Sequence, residues 1–183
     1  MFEPKRHIIG DLAITALGPY HGWKRHQDHG GTWDDYPPHS QRTLRLKMQK
    51  APAINRFHTF LNNKLPVDRW DVIAIVPSSD PAKTVSGIRD LALRLVASRG
   101  YGDATGCLVR HTKIPKLADG GSRAAIIHVN SMAVENAHLI HGRRVLLIDD
   151  VMTSGNSLIV GRDKLLAAGA ASVDMLALAK TIY

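Results

Sequence analysis

Asp149 and Asp150 are adjacent carboxylates, followed closely by Thr153, Ser154, Gly155, Asn156 and Ser157. Small hydroxyl and amide side chains around a glycine leave backbone N–H groups accessible. At a helix N-terminus such a loop presents those donors and the positive end of a helix dipole to a phosphate. The two carboxylates accept hydrogen bonds from sugar hydroxyls or share in holding a hard cation such as Mg²⁺. One short segment therefore combines grips for a phosphate, a ribose and a cation.

The flanking residues supply the elements that such a site needs. Residues 145–148, Val-Leu-Leu-Ile, read as a short buried strand that ends at the two aspartates. Residues 156–168 place Leu158, Ile159, Leu165 and Leu166 on one helical stripe, and Gly169 stands where a helix-ending glycine would. Residues 172–181 form a nearly continuous apolar run around Val173, Met175, Leu176, Ala177 and Leu178, as in a strand covered on both faces. An acidic strand end also occurs in P-loop nucleotide hydrolases, but those need a Gly-Lys pair in their phosphate loop. The chain has no Gly-Lys pair.

Upstream, residues 71–76 predict a strand ending at Pro77-Ser78-Ser79-Asp80. A helix follows, with Ile88, Leu91, Ala92, Leu95 and Val96 on one face and Gly100 as its stop. Residues 106–109 predict the next strand, and residues 131–134 a segment that rejoins the sheet. Between them, residues 112–123 are polar and contain Pro115, Gly120 and Gly121, which predicts a loop. Strand–helix alternation implies an α/β fold with a mainly parallel sheet flanked by helices. Ligands of such sheets bind outside the carboxyl ends of the strands, where residues 153–157 fall.

An apolar strand followed by Asp-Asp-x-x-Thr-[Ser/Thr]-Gly-x-[Ser/Thr] resembles the phosphoribosyl pyrophosphate signature of type I phosphoribosyltransferases, and residues 149–157 fill every defined position. Within that family the chain is most similar to the ComF-like branch. Lys83 and the Leu91-Ala92 pair resemble the branch's first core helix, residues 109–112 its Arg-x-Thr region, and residues 44–50 its basic stretch ahead of the core. There are departures. ComF-like proteins usually begin with a four-cysteine zinc ribbon, whereas this chain has the single Cys107. The segment near Arg123 lacks an Arg-x-x-Asn spacing. Thr153 also stands where 6-oxopurine salvage enzymes carry an aspartate, which disfavours purine salvage.

The resemblance implies a small irregular N-terminal hood over residues 1–66 and a core over residues 67–183. It implies that Asp149 and Asp150 bind the ribose hydroxyls and Mg²⁺, directly or through water, and act in catalysis. Thr153, Ser154, Gly155, Asn156 and Ser157 would hold the 5′-phosphate, and Ser78, Ser79, Lys83 and Arg110 the pyrophosphate. Lys113, Lys116 and Arg123 are further cations of a lid over that group. The reaction implied is displacement of pyrophosphate from C1 by a nitrogen nucleophile, with pairing into a homodimer as a family habit.

The N-terminal 66 residues have a different texture. Residues 8–17 supply one or two strands, and a turn-rich stretch runs through Pro19, Gly22, Gly30, Gly31, Pro37 and Pro38. Residues 43–49 are basic and amphipathic, and residues 54–65 predict a helix. His21, His26 and His29 match no common zinc spacing. With Lys24, Arg25, Trp33 and Tyr36 they suit either a hood over the nucleophile or a stacking and phosphate patch for nucleic acid.

A chain of 183 residues suits one packed domain with an appendage. Its 44% hydrophobic and 22% charged residues are ordinary for a globular protein. The sequence contains neither an apolar run of membrane-spanning length nor a signal-peptide core, so a cytoplasmic location without membrane contact is expected. The formal net charge of +8 suits an anionic substrate and equally a nucleic acid. Two functions follow: a transferase of the phosphoribosyl group, or a non-catalytic ComF-like phosphate- or nucleic-acid-binding protein in DNA uptake, regulation or defence.

Overall fold

The computed structural model describes residues 2–114 and 125–182. Its centre is a seven-stranded sheet in the order β1 (Lys5–Ile9), β2 (Leu12–Ala16), β9 (Ser172–Thr181), β8 (Arg144–Met152), β4 (Val72–Ile75), β5 (Gly102–Asp103), with β3 (Pro19–Tyr20) also paired to β9. The β1–β2 hairpin is antiparallel and every other pairing in this sheet is parallel. The fold is therefore a mainly parallel α/β sheet, as the alternation of elements predicts.

Side-chain alternation builds a core on each face of the sheet. On one face Val72, Ala74, Val145, Leu147, Met175 and Ala177 pack with Leu158, Val160 and Leu165 of α6 (Asn156–Ala167). On the other, Ile73, Ile75, Leu146, Ile148, Leu176 and Leu178 pack under α3 (Ala51–Lys64) and α4 (Gly87–Arg99). Leu46 of α2 (Pro38–Lys47) joins that second core. Strands covered on both sides have no polar face, which is why β4, residues 145–148 of β8 and residues 175–179 of β9 are unbroken apolar runs.

The connections place the site. From β4 the chain crosses through α4 to β5 at one edge, and from β8 it crosses through α6 to β9 in the opposite direction. β4 and β8 are hydrogen-bonded neighbours, so the order of the sheet reverses between them. A crevice opens at such a reversal, outside the carboxyl ends of the two strands.

Several elements differ from expectation. β8 does not stop at Ile148: it runs through Asp149 and Asp150 to Met152, because its pairing with β9 continues to Met152↔Lys180. Residues 106–109 and 131–134 do not join the main sheet. β6 (Leu108–Arg110) and β7 (Met132–Val134) pair with each other as a separate antiparallel ribbon, since β4 and β9 already occupy both edges of β8. The helix after β4 opens at Gly87, capped by Ser86 accepting from the Arg89 N–H at 3.3 Å, so Lys83 lies in the preceding loop. The turn-rich N-terminal stretch contains α1 (Trp23–Asp28) and the start of α2, whose C-terminal part is the expected basic segment. The remaining helix, α5 (Ala125–Ser131), precedes β7. Most of the expected loop over residues 112–123, with Lys116 and Arg123, lies outside the described residues.

Candidate active site

The loop after β8 begins at Thr153 and turns into α6 at Gly155, whose φ of +86° is a left-handed conformation that suits glycine. A Cβ there would also lie 2.6 Å from Ile9 Cδ1 and 2.9 Å from Ile14 Cδ1, so the N-terminal hairpin packs directly on the loop. Gly155 carries no side chain to cap the helix, and the first-turn N–H groups have no intrahelical acceptors. Ser154 Oγ accepts from the Asn156 N–H at 3.4 Å.

The loop is tied to the acidic pair. Ser157 Oγ donates to Asp149 Oδ2 at 3.0 Å, and the Asp150 N–H donates to Asp149 Oδ1 at 2.8 Å. Burial, reinforced by the charge of Asp150, raises the Asp149 carboxyl well above the usual carboxylate range. The pair thus favours positive charge beside it. Among the described residues no three His, Cys, Asp or Glu side chains gather around one point. Two carboxylates nevertheless fit a Mg²⁺ ion that keeps water ligands and takes the rest from substrate oxygens.

Two lysines that the sequence analysis did not single out complete this side. Lys47, the last residue of α2, places its ammonium 3.5 Å from Asp150 Oδ1 and 5.5 Å from the centre of the Tyr20 ring. Burial would lower its pKa, but the charges of Asp150 and Asp149 outweigh that effect and raise it. Lys180 on β9 donates to the Thr153 carbonyl at 2.7 Å, and Thr153 and Thr181 bring their hydroxyls within 3.1 Å. Lys180 was traceable, since it is the one cation of the apolar strand β9. Lys47 was not, because its position depends on how α2 docks.

Across the crevice, the loop after β4 holds Ser78 and Ser79 at its base and Lys83 on an exposed stretch. Ser78 Oγ accepts from the Asp80 N–H at 3.2 Å, and Lys113 pairs with Asp80 at 3.0 Å. Arg110 on β6 is 6% exposed, and its guanidinium donates to the Ser78 carbonyl at 2.8 Å and to Ser131 Oγ. Burial lowers its pKa, partly offset by the charge of Asp149, and its hydrogen bond to the Ser78 carbonyl ties it to the loop after β4. The structure thus brings Ser78, Ser79 and Arg110 to the crevice beside Asp149 and leaves Lys83 farthest out in solvent.

Beyond the end of β9, His21, Gly22, Arg25, His26, His29 and Ile182 line an open cavity of about 200 Å³. His26 is occupied with the Thr32 carbonyl at 3.0 Å, and Trp23, Trp33 and Tyr36 form an aromatic cluster around it. Cys107 is buried, and burial pushes its thiol up to about 11, which makes it a core side chain rather than a nucleophile. Among the described residues no helix is long and apolar enough to cross a membrane.

No curated protein sequence matches this chain. Solved structures with similarity include the allosteric regulatory enzyme of purine biosynthesis, at 20% identity over 76% of this chain and 25% of that one, with a TM-score of 0.42. The chain thus spans about a quarter of that protein's length. The adenine phosphoribosyltransferase of Thermoanaerobacter pseudethanolicus has 17% identity over 73% of this chain and 83% of that one, with a TM-score of 0.47. The adenine phosphoribosyl transferase of Trypanosoma brucei, solved with AMP, pyrophosphate and ribose-5-phosphate, has 12% identity over 74% and 67%, with a TM-score of 0.46. The model of the phosphoribosyl transferase domain matches residues 82–181, which is more than half of the chain and includes the acidic pair and its loop. The chain belongs to the phosphoribosyl transferase domain family.

Proposed function

We propose that this protein binds phosphoribosyl pyrophosphate with Mg²⁺ and transfers the phosphoribosyl group to a nitrogen nucleophile, releasing pyrophosphate. The observation that carries the reading is the link between the two halves of one grip: Ser157, in the first turn of α6, hydrogen-bonds Asp149 at 3.0 Å. A 5′-phosphate held at the N-terminus of α6 then leaves the ribose of the same molecule over the carboxylates.

In this reading the backbone N–H groups of residues 153–157 bind the 5′-phosphate while the Ser157 hydroxyl stays on Asp149, and Asp149 and Asp150 accept from the ribose 2′- and 3′-hydroxyls. As the C1–O bond to pyrophosphate breaks, positive charge develops on the ring, and the nearby carboxylates stabilise it. Ser78 and Ser79 receive the departing group on a loop that Arg110 braces from behind, with Lys83 as a cation at its outer end. The acceptor nitrogen forms the new bond to C1 and releases its proton. Mg²⁺, held by Asp149 and Asp150 directly or through water, would neutralise pyrophosphate charge and orient it. The cavity beside Ile182 and the histidine-bearing segment is the entry for the acceptor. Within the family we place the chain in the ComF-like branch, on Lys83, Leu91-Ala92 and the basic segment ending α2.

The test is pyrophosphate release from phosphoribosyl pyrophosphate and Mg²⁺ across a panel of nitrogenous bases, for wild type and Asp150→Asn. Release with one acceptor, lost in the variant while its circular dichroism is unchanged, is the expected result. Release that survives Asp150→Asn contradicts the assigned roles. No release from any base, together with salt-dependent DNA binding, favours the non-catalytic reading.

A further inference from the structure

The Lys47–Asp150 contact rests on residues that the expected site does not include. Lys47 comes from the N-terminal segment, yet its ammonium stands 3.5 Å from Asp150 Oδ1, inside the acidic grip. Its side chain is 36% exposed, and its position is set by the helix end that carries it. The preceding residue, Leu46, is fully buried, and its carbonyl is pressed onto the first residue of α4: a Cβ at Gly87 would lie 1.9 Å from that oxygen. The ammonium also sits 5.5 Å from the centre of the Tyr20 ring, which favours a cation there. Helix end, aromatic ring and carboxylate therefore place one positive charge against Asp150, one of the two carboxylates that a divalent cation would use.

We propose that Lys47 is a built-in counter-cation that keeps free divalent metal ions off Asp149 and Asp150, so that the metal enters only together with the phosphorylated substrate. The proposal rests on the site reading given above. Two carboxylates in adjacent positions would otherwise attract a divalent ion from solution. An ammonium beside them satisfies Asp150 and repels a second cation at short range. A ligand carrying phosphate groups reverses the balance, because it brings negative charge for both the metal and Lys47. The lysine thus acts as a positioning residue for metal loading, and it makes the basic helix α2 part of the site rather than a distant extension.

The probe is Mn²⁺, with free ion followed by electron paramagnetic resonance, on the full chain without substrate. Lys47→Gln and Lys47→Met, the latter keeping the apolar stem against Tyr20, are expected to bind Mn²⁺ at least about tenfold more tightly than wild type. Lys47→Arg keeps the charge and is expected to match wild type. Adding Asp150→Asn to Lys47→Gln is expected to remove the gain. Equal or weaker Mn²⁺ binding by both neutral variants, with unchanged urea midpoints, overturns the proposal. Titration of phosphoribosyl pyrophosphate on the same proteins separates the two ideas. If wild type fails to bind it, the substrate reading falls, whereas the Mn²⁺ comparison still decides what Lys47 does.

Discussion

Ser157 is the residue that ties the loop opening α6 to the acidic pair. Its hydroxyl points at Asp149 Oδ2, so it fixes a carboxylate whose proton affinity is raised by burial and by Asp150. A hydrogen bond to a charged group contributes about 1.5–3 kcal/mol. Ser157→Ala is therefore expected to lower the urea unfolding stability by about 1.5–3 kcal/mol and to weaken phosphoribosyl pyrophosphate binding, because Asp149 loses its anchor. Titration calorimetry with parallel urea melts checks this, and unchanged affinity would show that Asp149 needs no such anchor. The residue scale was also the most legible in the sequence. Hydroxyls, a glycine and two carboxylates in fixed spacing name their chemistry without a fold. Lys47 was illegible because nothing local marks one lysine among the basic residues of α2.

At the scale of elements, the question is what holds the loop and helices in place. Gly155 has a φ of +86° and touches Ile9 and Ile14 of the β1–β2 hairpin. Gly155→Ala is expected to cost about 1–3 kcal/mol in urea unfolding through overpacking and a disfavoured backbone conformation. A neutral result would mean that the hairpin does not brace the loop. His39 of α2 docks that helix on the sheet: buried, it lies with Nε2 2.8 Å from the Leu178 carbonyl. Burial, partly offset by that hydrogen bond, holds its pKa below the ordinary 6.5. Between that depressed value and 6.5 the unfolded chain binds more protons than the folded one. This contribution to stability is complete above pH 6.5 and declines as pH falls, by at most about 1.4 kcal/mol per pH unit. Thermal melts from pH 8 to 5 should therefore show a steeper loss for wild type than for His39→Gln, and equal slopes would remove His39 as the cause.

Elements were readable in proportion to their length and coverage. β9 matches its expected bounds and α6 matches to within a residue, and Gly100 ends α4 as expected although that helix opens at Gly87, after Lys83, because long stripes and capping glycines fix an end better than a start. The two three-residue strands β6 and β7 were misplaced. Such short apolar runs contain too few residues to specify a partner, and only the occupied edges of β8 decide that they pair with each other. The extent of β8 was underestimated for a related reason: carboxylates depress strand propensity, yet pairing with β9 overrides it.

For the whole molecule, the sheet reverses between β4 and β8, and everything of chemical interest gathers outside that reversal. The acidic pair, the loop opening α6, the serines after β4, Arg110 behind them, and lysines from α2 and β9 converge from distant parts of the chain. A net charge of +8 adds a field that draws polyanions toward this crevice. Both the transferase and a nucleic-acid-binding protein would profit from that field, so charge alone does not separate them. Dependence on the two aspartates does, since a phosphate backbone is repelled by the carboxylates that a ribose and Mg²⁺ require. The decisive measurement is calorimetric titration of phosphoribosyl pyrophosphate, with and without Mg²⁺, into wild type and the Asp149→Asn/Asp150→Asn double variant. Binding that is strengthened by Mg²⁺ and lost in the double variant is the predicted result. Binding that is absent, or indifferent to both Mg²⁺ and the aspartates, would contradict the account.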